Sequence, residues 1–102
     1  MNSLITHHEV AEWTAREQLL DEDFRALKHR FHCSPKDKRS HLQSCLKRVK
    51  ELSRNVSKLK PEGVDLPPFS ESVLKRTEKL EHAIAVLQIE IEEELEANLK
   101  GW

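Results

Sequence analysis

The sequence predicts an all-α protein, an antiparallel up-down-up three-helix bundle with coiled-coil-like packing. The composition favours helices, because the chain has two Gly and no Tyr among its 102 residues and 34% of the residues are charged. Apolar residues recur at helical spacing in three segments, and prolines separate these segments. The length fits one domain, residues 1–102. Helices are expected at about residues 7–33, 35–60 and 70–99, with a linker at 61–69.

The first helix has an explicit start. Thr6 and Glu9 match a capping box, in which the side chain of each residue bonds the backbone N–H of the other. Ile5 and Val10 flank this box as a hydrophobic staple. Glu17 falls on the apolar side of the helix, where an unpaired carboxylate is costly. We therefore expect either a basic partner for Glu17 from the second helix or contact with water.

The second segment carries the most regular apolar pattern, and we expect the bundle to be organised around it. Its apolar residues alternate at spacings of three and four, which places them on one side of a helix. They are Leu42, Cys45, Val49, Leu52, Val56 and Leu59. The helix is expected to begin at Pro35 with Ser34 as its N-cap or, alternatively, at Ser40, and to end before Pro61.

The third helix is predicted to begin at Ser70 as its N-cap, with Phe69 packed on Leu74. Val86 and Ile89 point away from its apolar side. A second apolar face has two explanations. Either the linker lies over it as a semi-extended strap, or a second chain covers it.

Together the three patterns predict a core of large apolar side chains, with Thr77 on the same side of the third helix. The predicted core residues are Trp13, Leu20, Phe24, Leu27, Phe31, Leu42, Val49, Leu52, Val56, Leu80, Ile84, Leu87 and Ile91.

Charge is distributed unevenly along the chain, although the net charge is only −1. Residues 1–24 carry a net charge of −5, residues 25–60 a net charge of +10, and residues 61–102 a net charge of −6. Two explanations are open. The three packed helices neutralise one another, or one face of the basic second helix stays open for an acidic partner.

His and Cys residues cluster on either side of the first predicted turn. His29 and Cys33 lie four residues apart on one helix, as do His41 and Cys45 on the next, and the two pairs together would supply a tetrahedral zinc site. The alternative is that Cys45 is a small buried residue of the row of apolar side chains along the second helix. We call such a row the seam of its helix. We predict no metal and no cofactor, with these four residues as the zinc candidates.

No pattern in the sequence indicates catalysis, since a glycine-rich phosphate loop, a nucleophile elbow and metalloprotease spacing are all missing. Nucleic-acid binding by the second helix is disfavoured, because its bases are spread around the helix without interleaved aromatic residues. The chain has neither a signal peptide nor a membrane-spanning segment, which favours a cytoplasmic protein without direct membrane insertion.

Long amphipathic helices with abundant charge and no site chemistry favour a protein–protein interaction or scaffolding module of a larger assembly. The expected contact residues are Val86 and Ile89 on the third helix, Arg48 and Arg54 on the second, and the terminal Trp102. The expected partner is another protein, with a homodimer as an open alternative.

In helix number and length, the chain resembles the N-terminal three-helix domains of SNARE membrane-fusion proteins and small coiled-coil subunits of tethering or kinetochore complexes. The first resemblance implies an alternative function, a regulatory bundle of a longer vesicle-transport protein whose anchor lies beyond Trp102.

Overall fold

The computed structural model describes the backbone of residues 3–33, 39–61 and 64–100. Three helices pack against one another: α1 (His7–Cys33), α2 (Arg39–Ser57) and α3 (Glu71–Lys100). Each of the outer helices follows a two-residue strand, β1 (Ser3–Leu4) before α1 and β2 (Val64–Asp65) before α3. A 3-10 turn, Pro68–Ser70, leads directly into α3. The predicted all-α three-helix bundle is confirmed.

The contacts between elements give the direction of each helix. β1 pairs with β2 in parallel, so α1 and α3 begin at the same end of the bundle. Near the far end, Nε2 of His32 in α1 lies 3.8 Å from a carboxylate oxygen of Glu90 in α3. Because α2 connects the far end of α1 to the start of α3, it runs antiparallel to both. This is the up-down-up order.

The start of α1 follows the prediction in position and in one of the two capping bonds; the other, from the Thr6 N–H to the Glu9 carboxylate, is not among the hydrogen bonds of the described residues. The backbone N–H of Glu9 donates to Oγ1 of Thr6 at 3.1 Å, and the Thr6 hydroxyl donates to the Glu9 carboxylate at 3.3 Å. Ile5 is buried in a small cluster with Trp13 and Val73, and Val10 packs against this cluster. The cluster closes the end of the bundle at which α1 and α3 begin.

The ends of α2 differ from the prediction. The helix ends at Ser57 rather than near Lys60, because the chain tightens into i→i−3 hydrogen bonds such as that from the Lys58 N–H to the Asn55 carbonyl at 3.2 Å. The described helix begins at Arg39, beside the alternative predicted start. The other predicted start, at residues 34 and 35, lies outside the described residues.

The helix α3 begins at Glu71, directly after the predicted N-cap residue Ser70. The Ser70 hydroxyl donates back to the Pro67 carbonyl at 2.7 Å within the 3-10 turn, and among the described residues no backbone N–H of α3 donates to it, so the predicted capping bond is not formed. Phe69, predicted to pack on Leu74, is 43% exposed, and its ring stacks on His7 with the ring centroids 3.9 Å apart. This stack gives a second contact between the starts of α1 and α3.

The apolar side of α2 is the most deeply buried part of the described chain. Leu42, Val49 and Leu52 have no exposed surface, and Val56 is 1% exposed. Apolar residues of α1 and α3 pack onto this side and form one continuous cluster with it. Every predicted core residue is buried except Leu20, which is half-buried at the edge of the cluster.

A buried hydrogen-bond chain joins α1 to α3. The indole N–H of Trp13 donates to the Thr77 hydroxyl at 2.9 Å, and that hydroxyl donates to the Val73 carbonyl at 2.8 Å. Thr77 has no exposed surface, and both of its hydroxyl functions are used, as a buried polar group requires. These two linked hydrogen bonds therefore fix the register of α1 against α3.

Truncation of Phe24 tests the assignment of the α1 seam. Phe24→Ala should lower the free energy of unfolding by about 3–5 kcal/mol, because the ring is buried and its loss leaves a cavity. Denaturant unfolding followed by circular dichroism measures the change. Leu19→Ala is the matched control on the same helix; its side chain is 63% exposed, and it should cost less than about 1 kcal/mol. A similarly small loss for Phe24→Ala would show that the seam is misassigned.

Candidate protein-binding surfaces

The outer side of α2 is basic and open to solvent. Lys47, Lys50 and Arg54 are spaced by three and four residues, which places them on one side of the helix, and Lys58 continues the row just past the helix end. We call these four residues the basic row. All four are exposed, and none forms an ion pair with another described residue.

Arg48, a predicted partner-binding residue, is used within the bundle. Its guanidinium lies 3.4 Å from the Asp23 carboxylate of α1 and 3.1 Å from the Glu51 carboxylate. Among the described residues, it is the one base of α2 that pairs with another helix. Just past the helix end, Lys60 also pairs with Glu78 of α3 at 3.7 Å. Mutual neutralisation therefore occurs at these two bases, while the basic row faces outward. Arg54, the other predicted residue of this helix, belongs to the basic row.

The predicted apolar face of α3 is exposed. Val86 is 41% exposed and Ile89 is 56% exposed, and we call these two residues the apolar patch. The explanation that the linker covers them is wrong, because β2 pairs with β1 at the start of α1 instead. Residues 80–98 around the patch contain six Glu and no Lys or Arg. Trp102, the remaining predicted contact, lies outside the described residues.

The most exposed large apolar residue of the described chain was not predicted from the sequence. Leu19 of α1 is 63% exposed, more than any other large apolar side chain in the described structure. Its neighbour Leu20 packs at the edge of the core. Adjacent residues of a helix point about 100° apart, so two consecutive leucines cannot both face a one-sided core. This rule is the signal from which the exposure of Leu19 could have been predicted.

The four zinc candidates form two separate pairs. Sγ of Cys33 lies 3.6 Å from Nδ1 of His29, and Sγ of Cys45 lies 3.7 Å from Nε2 of His41. Within residues 3–33, 39–61 and 64–100, no three His, Cys, Asp or Glu residues are placed to hold one metal ion. The structure therefore does not assemble the site across the hairpin. Cys45 is buried in the core, and this burial raises the pKa of its thiol.

Glu17 lines a cleft of about 370 Å³ between α1 and α3. The residue is only 5% exposed. Burial raises the pKa of its carboxyl above the ordinary value, and the nearby Asp21 carboxylate raises it further, while Arg76 and Arg25 partly oppose the rise. These two bases belong to α3 and α1, so the prediction of a basic partner from the second helix is wrong.

Comparison of the chain with protein-family models, with curated proteins and with solved structures found no match. In the part of the chain that the structure describes, no helix has the length and hydropathy needed to cross a bilayer. The function is therefore argued from the surfaces of the bundle.

Replacement of Glu17 tests the burial of its carboxyl. The folded-state pKa is raised, so the folded protein retains a proton that the unfolded chain releases at about pH 4.3, the ordinary pKa of a Glu side chain in water. Wild-type stability should therefore fall as the pH rises through the raised pKa. Glu17→Gln removes this titration, so its free energy of unfolding should rise relative to wild type from about pH 4 upward, through the raised pKa of Glu17.

Denaturant unfolding across that pH range measures the effect. Glu22→Gln is the matched control, because Glu22 lies on the same helix, is exposed and has no ion pair with a described residue. The control should follow the wild-type pH dependence. If Glu17→Gln follows it too, the carboxyl of Glu17 is in water and the described burial is incorrect.

Proposed function

We propose that this chain is a non-enzymatic protein–protein interaction module, a helical subunit or regulatory domain of a larger cytoplasmic assembly. The main support is the basic row. Its four cations lie on one side of α2 and have no ion pair among the described residues. Like charges in a row repel one another, and no ion pair with a described residue offsets this repulsion. An acidic partner surface would relieve it.

The apolar patch of α3 supports the same proposal. Val86 and Ile89 lie three residues apart, so their side chains adjoin on the helix surface. Their exposure means that the fold itself gains little from them. Apolar residues in the centre of a charged helix face are the surface that helix-in-groove recognition uses. The module therefore offers two contact surfaces, one basic on α2 and one apolar within an acidic surround on α3.

Nucleic acid is a second candidate, because phosphate groups are the other common partner of an unpaired row of Lys and Arg. The acidic stretch 80–98 of α3 repels phosphate, and α2 contributes no aromatic side chain for base stacking. These features favour an acidic protein over nucleic acid. The vesicle-transport alternative stays a prediction that rests on helix number and length.

Charge reversal at the centre of the basic row tests the proposal. With the full chain as bait in a lysate of its native cells, Lys50→Glu and Arg54→Glu should each lower the recovery of the bound partner about tenfold, since they place a repulsive charge against an acidic surface. Lys28→Glu is the matched control, because it makes the same charge change at an exposed position of α1. Quantitative mass spectrometry of the captured proteins measures recovery.

Three results would contradict the proposal. The first is that no protein is enriched at low salt. The second is that the control variant loses as much partner as the two row variants. The third is that the bound material is nuclease-sensitive and is released steeply by salt, which would identify nucleic acid as the ligand.

A further inference from the structure

We infer that the groove between α1 and α2 is a docking site for an acidic amphipathic helix of a partner protein. The inference rests on the proposed function for its partner class, and it adds a third contact surface, which shares Lys47 and Lys58 with the basic row, and the chemistry of the ligand. Two clefts follow one another along the two helices, since their linings continue from residues 16–20 to 23–30 on α1 and from 55–59 to 44–51 on the α2 side. We call the two clefts together the groove. The first includes Arg16, Leu19 and Lys58, and the second includes Arg30, Lys47 and Arg48.

The first cleft has a volume of about 270 Å³ and an apolar floor. Leu20 and Leu59 are half-buried, and both pack against the main core cluster. Leu19 stands at the edge of the cleft with 63% of its surface exposed. An apolar side chain that entered this cleft would therefore contact the core directly and would cover Leu19. This is the arrangement of a buried anchor at the centre of an interface.

Basic residues line both sides of the groove. Five basic and two acidic residues line the two clefts. The two acids, Asp23 and Glu51, are both bound to Arg48. The remaining cations have no ion pair with a described residue; they are Arg16 and Arg30 on α1, and Lys47 and Lys58 on α2.

This arrangement specifies the ligand. A partner helix with an apolar ridge and Glu or Asp on both flanks can place the ridge over the leucines of the first cleft. Its acidic residues then lie beside the basic residues on the two sides of the groove. From Arg16 to Arg30 the groove is about 20 Å long at 1.5 Å per residue, which equals about four turns of helix. A partner helix of that length would become the fourth helix of an antiparallel bundle.

The occupant is a different protein rather than a second copy. The chain's own acidic stretch at residues 80–98 has suitable chemistry, but its apolar seam is already buried in the bundle. Its exposed patch belongs to α3, which forms no part of the groove lining. Two copies that used the patch of one and the groove of the other would make a head-to-tail contact, which leaves a free patch and a free groove at the ends.

A displayed library of helix-forming peptides tests the inference on the full chain. The peptides are about 18 residues long, enough for the four-turn groove. Ridge positions vary among Leu, Ala and Ser, and flank positions vary among Glu, Lys and Gln. We expect enrichment of peptides with Leu on the ridge and Glu on both flanks. Leu19→Ser and Arg16→Glu should each weaken the binding of an enriched, fluorescently labelled peptide about tenfold or more.

The matched control is Leu66→Ser, which makes the same change at an exposed apolar residue outside both the groove and the apolar patch and should leave peptide affinity unchanged. The inference is overturned if no peptide is enriched, if enriched flanks carry Lys, or if binding survives Leu19→Ser. Self-association of the chain that Leu19→Ser abolishes would also overturn it, because a second copy would then be the occupant.

The two proposals fail separately. The row and the groove share Lys47 and Lys58, so the tests use residues that belong to one surface only. Lys50 and Arg54, which test the basic row, do not line the groove, and neither Leu19 nor Arg16 belongs to the row. A lysate partner lost with Arg54→Glu but no enriched peptide would contradict the groove and leave the proposed function standing. Enriched peptides without any lysate partner would contradict the proposed function alone.

Discussion

The structure depends on the burial of the apolar side of α2. The apolar residues lie on one side of the helix and are fully covered, with Leu42, Val49 and Leu52 at zero exposure. One neighbouring helix cannot enclose such a seam, so α1 and α3 must both pack on it. Because α2 connects the far end of α1 to the start of α3, packing along its length gives the up-down-up order. The same constraint explains the charge distribution. Once the seam faces inward, the bases between its residues have only the outer side of the helix to occupy, and the basic row follows.

Much of the fold was predictable because local patterns determine it. The Thr6 cap needs only residues within one turn, and the predicted hydrogen bond to the Glu9 N–H is present. The three seams follow from a spacing of three and four, since residues at that spacing share a face whatever surrounds them. The exposure of Val86 and Ile89 follows from the same rule applied to α3. Periodicity thus identified both the core and the apolar patch.

Features that depend on how the helices are placed in space were not predictable. The i, i+4 spacing correctly brings each His beside its Cys, but no sequence rule gives the distance between the two pairs across the hairpin. The bases around Glu17 come from α3 and from its own helix because α3 lies on that side of α1. The groove could not be predicted for the same reason. Its lining residues come from two different helices, and only the packing of these helices brings the residues together.

Native-state hydrogen exchange tests the central claim that the α2 seam is the core on which both other helices depend. We predict that the backbone amides of residues 45–52 exchange slowest in the chain. They should exchange only through global unfolding, with an opening free energy equal to the free energy of unfolding. The C-terminal turns of α3 should exchange faster through local fraying. If the amides of α2 instead exchange through local opening while those of α1 and α3 remain protected, the central claim is contradicted.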